Sequence, residues 1–485
     1  MWLRRIAQDL GVGRGNGDPP GGTTPKPMTA VEGIDAEMRR IYGNRAWLVA
    51  SDVLQGAGHT VRRLRGWGAP PCFAIGAREG VGDLPADGDW ERHVLGLPGA
   101  PMMEAIQQAE DAFRNLPPHI VAAVEAFDPQ RQIRVIGAIF SDGRDVAHRR
   151  FWGARPKAWR DLEDKVVIDQ LWDRCGITRV PSRIVRVDRS ELLEAHRALD
   201  RGLGTVWSGD ASRGFHGGAT FTFPVTNDGD AARALHDLEE RCVRARVMPF
   251  LDGIPCSIHG IVFPSHVLVL RPAELLVLRD VAAGRFRYCR AATFWDPSNA
   301  VRQEMRNVAR VVGETLRLTL GYAGAFTVDG VATAEGFRPT ELNPRVGAAL
   351  GLLVPEFPFS FLHDALVEGV PIDTDPEALE RELVDRADAS RRASVGFLVD
   401  EPLPDTLRSS VAFDGTTWRE VPADEAHGQL SIGPGATGGY VALQVEHGAA
   451  PVGPSFAPRV AALATFLEQH HGLQVGALSP ARPSP

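Results

Sequence analysis

Between residues 324 and 345 the chain reads GAFTVDGVATAEGFRPTELNPR, and this stretch constrains the fold more than any other. Two apolar segments, 324–329 and 339–343, flank the glycine-containing connection VATAEG, a pattern that predicts two strands. Side chains two apart on a strand face the same side, so Glu341 and Asn343 project together while Leu342 turns into the core. Asp329 ends the neighbouring strand, where it can meet them. Two carboxylates and an amide oxygen form a hard, all-oxygen set. Such a set suits Mg²⁺ bridging nucleotide phosphates, because Mg²⁺ keeps waters and takes few protein oxygens. Pro344 removes a ladder donor and stops the strand. Arg345 is left at the strand end, where a guanidinium can hold a carboxylate or phosphoryl group bidentately. The alternative is a hairpin whose polar residues simply face water.

The rest of the chain predicts an α/β protein of several domains. At 485 residues it is long enough for about three, by the usual rule of roughly 150 residues each. Residues 1–33 read as a flexible arm, rich in glycine and proline. Its series Gly11, Gly13, Gly15 and Gly17 has no strand before it, and Pro19 and Pro20 follow, so it is no dinucleotide loop. Residues 34–155 form a first α/β domain. Apolar segments at 46–53, 71–75, 119–124 and 133–140 read as buried strands of a parallel sheet, with a helix over 102–116. Leu162, Val166, Val167, Leu171 and Trp172 recur at helical spacing and predict a helix over 163–174, closed by Gly176. Met305, Val308, Val312, Leu316 and Leu320 predict another over 302–320, closed by Gly321. A charged, exposed helix with a linker is expected over 374–394. Short strands at 394–399, 409–413 and 440–445 follow, then a helix over 457–470 with Val460, Leu463, Ala464 and Leu467 on one face. Residues 374–478 thus form a small β-rich C-terminal domain, and 479–485 a disordered tail.

Composition narrows the function classes. The chain is 44% hydrophobic and 24% charged, as soluble globular proteins are. A net charge of −8 gives no nucleic-acid footprint. Cys72, Cys175, Cys242, Cys256 and Cys289 include no C-x-x-C pair, so neither a zinc cluster nor a disulfide framework is expected, and a reducing cytoplasm fits. No apolar run reaches the roughly 18 residues a membrane span needs, and MWLRRIAQDL has no hydrophobic core of a secretory signal. Of the 53 basic residues only Lys26, Lys157 and Lys165 are lysines. Chemistry that wants an ammonium therefore has three candidates.

Glu341-Leu-Asn-Pro-Arg345, with Asp329 twelve residues upstream, resembles the metal-binding signature of the ATP-grasp ligases. Three further segments fall in that family's order. Asp164 and Lys165 stand where these enzymes carry their first phosphate-contacting lysine. The stretch GTVWSGDASRGFHGGATF has the place and glycine content of their phosphate-covering loop. MPFLDG, from Met248 to Gly253, resembles the link between lobes that cups adenine. The wording of WDRCGITRVPSRIV, MPFLDGIPCSIHGIVF and EGFRPTELNPR is closest to the pheganomycin-type peptide ligases. The resemblance covers 150–370 well and makes 34–155 a pre-ATP-grasp domain. It implies an ATP-grasp fold over 156–373, α+β in its body, with two lobes and the nucleotide between them.

The resemblance implies an ATP-dependent carboxylate–amine ligase that works through an acyl phosphate and joins an amino acid or peptide in natural-product biosynthesis. Asp329, Glu341 and Asn343 would hold two Mg²⁺, with Mn²⁺ an allowed substitute. Lys165, Ser208, Arg213, His216, Gly217, Met248, Phe250 and Asp252 would contact ATP. Arg345 would orient the carboxylate. Arg271 is a second candidate at the substrate; Arg271 and Glu274 are three apart on a strand, so they face opposite sides and form either part of an acceptor site or ordinary ion pairs. The partners would be small-molecule carboxylates and amines, without nucleic acid or membrane, and the family allows a homodimer. Two departures stand out. The strand before the glycine loop, Thr205-Val-Trp-Ser-Gly, lacks the family's second lysine, a charge that Arg213 or His216 would have to supply. The usual ribose-binding acid would fall near Pro255. Arg213 reads equally as a solvated loop residue, His259 as a satisfied core histidine, and Trp207 as packing. An ATP-grasp kinase releasing a phosphorylated product and a nucleotide-binding module without catalysis fit the same motifs.

Overall fold

Three β-sheets organise the chain in its computed structural model, which describes residues 28–480 apart from 81–82, 101, 138–142, 144, 213–218 and 436–437. Helix α1 (Ala30–Tyr42) starts at a capping box, in which the Thr29 hydroxyl accepts from the Glu32 N–H and the Glu32 carboxylate from the Thr29 N–H. Residues 30–33, expected in the arm, are therefore its first turn. Then come β1 (Trp47–Val53), α2 (Leu54–Gly66), β2 (Cys72–Arg78), β3 (Trp90–Val94), α3 (Met102–Arg114), α4 (Pro118–Phe127) and β4 (Arg134–Ile136). The strands pair in parallel in the order β3-β2-β1-β4, the parallel sheet that the alternating pattern predicts. The apolar run at 119–124 is helix α4, not a strand. Pro118 suits a first helical turn, and Ile120 and Val124, four apart, bury one face. A short apolar run does not distinguish these two outcomes.

The second sheet belongs to a small lobe. After α5 (Lys157–Arg160) and α6 (Asp169–Arg174) come β5 (Arg183–Arg186), α7 (Arg189–Leu199), β6 (Thr205–Gly209), β7 (Thr222–Val225), α8 (Asp228–Arg241) and β8 (Arg244–Pro249). The strands run antiparallel in the order β5-β8-β6-β7. Leu192, Ala195, Ala234 and Leu238 of α7 and α8 pack on Trp207 and Val247, so Trp207 is core, 1% exposed. The helix expected over 163–174 is shorter than its apolar pattern. The Asp164 carboxylate accepts the Val166 N–H at 3.0 Å, a local turn that competes with helix, and residues 165–168 form turns before α6 begins.

The third sheet is the spine of the molecule. Its strands are β9 (Ile254–Val262), β10 (Val267–Val269), β11 (Ala273–Asp280), β12 (Arg285–Ala292), β13 (Gly324–Thr333), β14 (Gly336–Asn343), β15 (Ala393–Val399), β16 (Leu407–Phe413), β17 (Trp418–Glu420), β18 (Gly428–Pro434), β19 (Gly439–Val445) and β20 (Leu478–Ser479). The order is β14-β13-β9-β11-β12-β15-β19-β18-β16-β17, with β10 on β9 and β20 on β11, all antiparallel. Helix α9 (Asn299–Leu320) is capped by Ser298 and ends at Gly321 in the left-handed region, φ 58°. Met305, Ala309, Val312 and Leu316 bury its predicted stripe against Val328 and Leu342, while Leu320 stays partly exposed. Helices α10 (Leu350–Leu353), α11 (Phe359–Val367) and α12 (Pro376–Ala389) join the sheet to the first domain, and α13 (Ala457–His471) covers the C-terminal strands.

Arg290 of β12 pairs with Val395 of β15, so the C-terminal strands continue the same sheet. Helix α12 is less exposed than its charges suggest, because Leu379, Leu383 and Ala387 are buried. Ser479, expected in the tail, pairs with Arg279. Among the described residues no helix is long and apolar enough to cross a membrane.

Candidate active site

The β13–β14 hairpin places Asp329 directly opposite Glu341, and Thr327 opposite Asn343. The three polar side chains share one face while Val328 and Leu342 fill the core on the other. Asn343 Nδ2 donates to Asp329 Oδ2 at 2.9 Å. Asp329 Oδ1 is buried and has no hydrogen-bond partner among the described residues. Burial first, and the facing Glu341 second, push the Asp329 carboxyl up to about 7.

Cations close around these acids. Lys165, carried by the turn before α6, sets its Nζ 2.9 Å from Glu341 Oε2. Arg345 lies 3.3 Å from Glu163 through Nε and donates from Nη2 to Asn343 Oδ1 at 2.9 Å. Glu163 is itself buried and held by Arg155 at 2.5 Å, and Arg155 also donates to the Pro344 carbonyl at 3.0 Å. This clamp fixes the strand end that carries Arg345. From the small lobe, buried Arg246 of β8 donates to the carbonyls of Lys165 at 3.3 Å and Thr340 at 3.0 Å, and pairs with Asp169 at 3.4 Å. It thereby ties the lysine turn to the acidic hairpin. In the β6–β8 register Arg246 stands opposite Ser208, in the strand that lacks a lysine.

An apolar cluster adjoins this centre, where Arg246 also reaches Met248. Val180, Val206 and Met248 form a small buried cluster, with Phe250, Leu251 and Phe286 packed against it. Phe250 and Phe286 lie nearly parallel, ring centroids 6.3 Å apart. Met248 and Phe250, singled out from the sequence, thus belong to one apolar cluster with Phe286 of the large sheet. Ser208 is buried beside Arg246, and Asp252 is exposed in the β8–β9 turn. Arg213, His216 and Gly217 lie outside the described residues.

Arg271 is not brought to the acidic hairpin. Its fully buried guanidinium donates to the carbonyls of Thr293 at 2.9 Å and Trp295 at 3.2 Å, and pairs with Asp296 and Asp388. Asp388 lies on α12, so this network fastens that helix to the sheet. Arg271 precedes β11 and does not share a strand with Glu274, so strand alternation does not govern the pair; Glu274 accepts the Phe456 N–H at 2.7 Å at the start of α13. His259 bonds Thr327 Oγ1 at 2.8 Å and Ser257 Oγ at 3.0 Å, and burial pushes it down to about 3, so it is a neutral core histidine.

The sequence reading missed Arg155, Glu163 and Arg246. Arg246 left a signal: in RARVMP it shares the face of Met248 within an otherwise apolar strand, where a cation needs a reason. Arg155 and Glu163 left none, because their partnership is formed by the fold.

The acidic set suits a small divalent cation. Two carboxylates face each other across the hairpin and one buried Asp329 oxygen is unpartnered, an acceptor that a hard cation would take. Among the described residues no group of three or more His, Cys, Asp or Glu converges, so the set is two carboxylates and an amide.

No family model and no curated protein matches the chain. Solved structures do. A pyruvate carboxylase from Rhizobium etli with the allosteric activator acetyl coenzyme A shares 16% identity over 84% of this chain and 36% of that one, with a TM-score of 0.51. An L-amino acid ligase from Bacillus licheniformis shares 11% identity over 90% of this chain and 99% of that one, with a TM-score of 0.45. The N5-carboxyaminoimidazole ribonucleotide synthetase of Thermotoga maritima shares 13% over 89% and 99%, with a TM-score of 0.43. The likeness is one of fold. A parallel-sheet domain precedes a mixed α/β body with two antiparallel lobes, the ATP-grasp arrangement expected from the sequence.

Proposed function

We propose that the chain is an ATP-dependent carboxylate–amine ligase that forms an amide through an acyl phosphate. The observation that carries this reading is the Asp329–Glu341–Asn343 set, with Lys165 on one side, Arg345 at its open end and an apolar cluster beside it. Adenine would sit against Met248, Phe250 and Phe286. Lys165 would hold the phosphates as a point charge, exchanging Glu341 for them. Arg246, fixed behind the lysine turn, would supply the positive charge that β6 lacks. Asp329, Glu341 and Asn343 would hold two Mg²⁺, or Mn²⁺, which neutralise phosphate charge as the γ-phosphoryl group is transferred. Arg345, braced by Glu163, would orient the carboxylate, whose oxygen attacks the γ-phosphorus and expels ADP. An amine then attacks the acyl carbon and expels phosphate. The natural-product role rests on the resemblance to the pheganomycin-type ligases.

The test is trapping. The full chain with MgATP, hydroxylamine and a panel of amino acids and short peptides as carboxylates should release ADP and yield a hydroxamate, read by mass spectrometry. A stable phosphorylated product made without any amine requirement would replace the ligase with a kinase. MgATP binding without any ADP release would reduce it to a binding module.

A further inference from the structure

A cleft of about 720 Å³ opens where the small lobe, the first domain and the C-terminal strands meet, and the ligase reading does not yet use it. Its floor is one face of the great sheet, where Phe286, Tyr288 and Arg290 of β12 lie beside Gly396 and Leu398 of β15 and Tyr440 of β19. Phe223 of β7 closes it from the small lobe. Phe286 joins the cleft to the reactive side of the molecule, since it lines the cleft and also packs against Val180, Val206 and Met248.

Arg290 is the unusual member. Its backbone sits at φ 77°, in the left-handed region, inside a strand. That conformation is disfavoured for any side chain with a Cβ and persists only where the surroundings impose it. Its guanidinium lies flat across β15 at Gly396, where a Cβ would stand 2.5 Å from Nε, so a glycine is needed beneath it. It donates to Ser394 Oγ at 3.4 Å, and no carboxylate pairs with it among the described residues. Arg285 and Arg287 also line the cleft, and Arg287 donates to the Val475 carbonyl at 2.7 Å. On the far walls Asp52, paired with Arg78, and Asp237 and Glu240 supply negative charge.

A guanidinium without an acid, in a largely apolar cleft, is a carboxylate receptor. Arg345 already stands at the acidic hairpin, where the reacting carboxylate belongs. A second carboxylate, held in the cleft beyond Phe286, is one that the reaction does not consume, and the amine substrate would supply it. We propose that this cleft binds the amine substrate, an amino acid or short peptide with an apolar or aromatic side chain, through its free carboxylate on Arg290. The proposal rests on the ligase reading. Leu398, 48% exposed, with Phe223 and Tyr440, would cover the apolar side chain.

The test is calorimetric titration of the full chain, with MgADP present, with L-phenylalanine and L-leucyl-L-phenylalanine against their C-terminal amides. The free acids should bind at least about tenfold tighter than the amides. Arg290→Met should remove that preference, and so should Gly396→Ser, which displaces the guanidinium from the other strand. MgADP affinity, measured separately, checks that both variants are folded. Equal affinity for acids and amides in the unaltered protein, or a preference that survives both substitutions, overturns the proposal. Failure of the ligase reading shows differently, as an absence of hydroxamate from the unaltered enzyme whatever the titration gives.

Discussion

Lys165 Nζ lies 2.9 Å from Glu341 Oε2, across the gap between the lysine turn and the acidic hairpin. Without nucleotide the ammonium neutralises the carboxylate; with nucleotide it would move to phosphate and leave Glu341 to a cation. Lys165→Met should therefore lower ATP-dependent ADP release at least about 100-fold, the scale for loss of one preorganised charge at a reacting group. Glu341→Gln should do the same. Because both residues serve one site, the double variant should be little worse than either alone. Steady-state rates of the three variants check this, and fully additive losses would mean the two residues act apart.

Asp329 and Glu341 are acids placed opposite each other on adjacent strands, a pairing that destabilises a sheet unless a cation intervenes. Asp329→Asn removes the repulsion and keeps the shape. At pH 8 without Mg²⁺, the variant should be more stable than the parent by about 1 kcal/mol or more, while its turnover falls below detection. Adding Mg²⁺ and ADP should raise the parent's melting temperature and leave the variant's nearly unmoved. Thermal melts with and without the ligands decide it, and a variant less stable than the parent would show that the acids are not a strained pair.

The hairpin was legible because its chemistry is local. Period-two alternation places Glu341 and Asn343 on one face, and the register puts Asp329 beside them. The α9 stripe was legible for the same reason. What escaped was set by distant pairing. Arg155 and Glu163 brace Arg345 only once the chain returns from 163 to 345. Arg271 looked like a substrate residue because a buried arginine needs partners; those partners, Asp296 and Asp388, arrive with elements the local pattern cannot place. Helix α4 was misread because burial on most sides erases the period that separates helix from strand.

His363, buried in α11, accepts the Ala325 N–H at Nδ1, 2.9 Å away, and burial pushes it down to about 3. The folded protein keeps it neutral, while the unfolded chain protonates below about 6.5. Between those values the unfolded state holds the extra proton, so this histidine's contribution to stability falls as pH falls, by about 1.4 kcal/mol per pH unit. Glu274, pushed up to about 7 by burial, works in the opposite sense: folded it stays protonated, and its contribution falls as pH rises from about 4.5 toward 7. The difference between parent and variant isolates the histidine. His363→Gln keeps an acceptor for the Ala325 N–H but takes up no proton. Its stability relative to the parent should improve by about 1.4 kcal/mol from pH 6 to pH 5 in urea unfolding. A pH-independent difference would mean His363 is charged in the fold.

Arg271 and Arg345 should fail in different ways. Removing Arg271 leaves Asp296 and Asp388 with less positive charge in a buried network, so Arg271→Met should destabilise the fold by about 3–5 kcal/mol. Folded protein that remains should keep its KM values. Arg345 is partly exposed at the strand end, and Arg345→Lys keeps the charge while losing the planar fork. It should melt near the parent temperature, yet lose turnover at least about 100-fold. Unfolding curves and kinetics on the same preparations separate the two, and a catalytic loss without destabilisation in Arg271→Met would return that residue to the substrate site.

Ser208 and Arg246 stand opposite each other in the β6–β8 register, on the face that meets the lysine turn. If Arg246 supplies the charge that β6 lacks, what matters is the charge and not the strand that bears it. Arg246→Met should weaken MgADP binding at least about tenfold, and also lower stability, because Asp169 and the carbonyls of Lys165 and Thr340 lose a donor. Adding Ser208→Lys to that variant places an ammonium on the same face one strand away. Nucleotide affinity should then recover by a measurable fraction, although the lost hydrogen bonds, and with them the stability, do not return. Recovery of neither would mean that Arg246 serves only to tie the two segments together; recovery of affinity alone identifies the charge as its contribution to ATP.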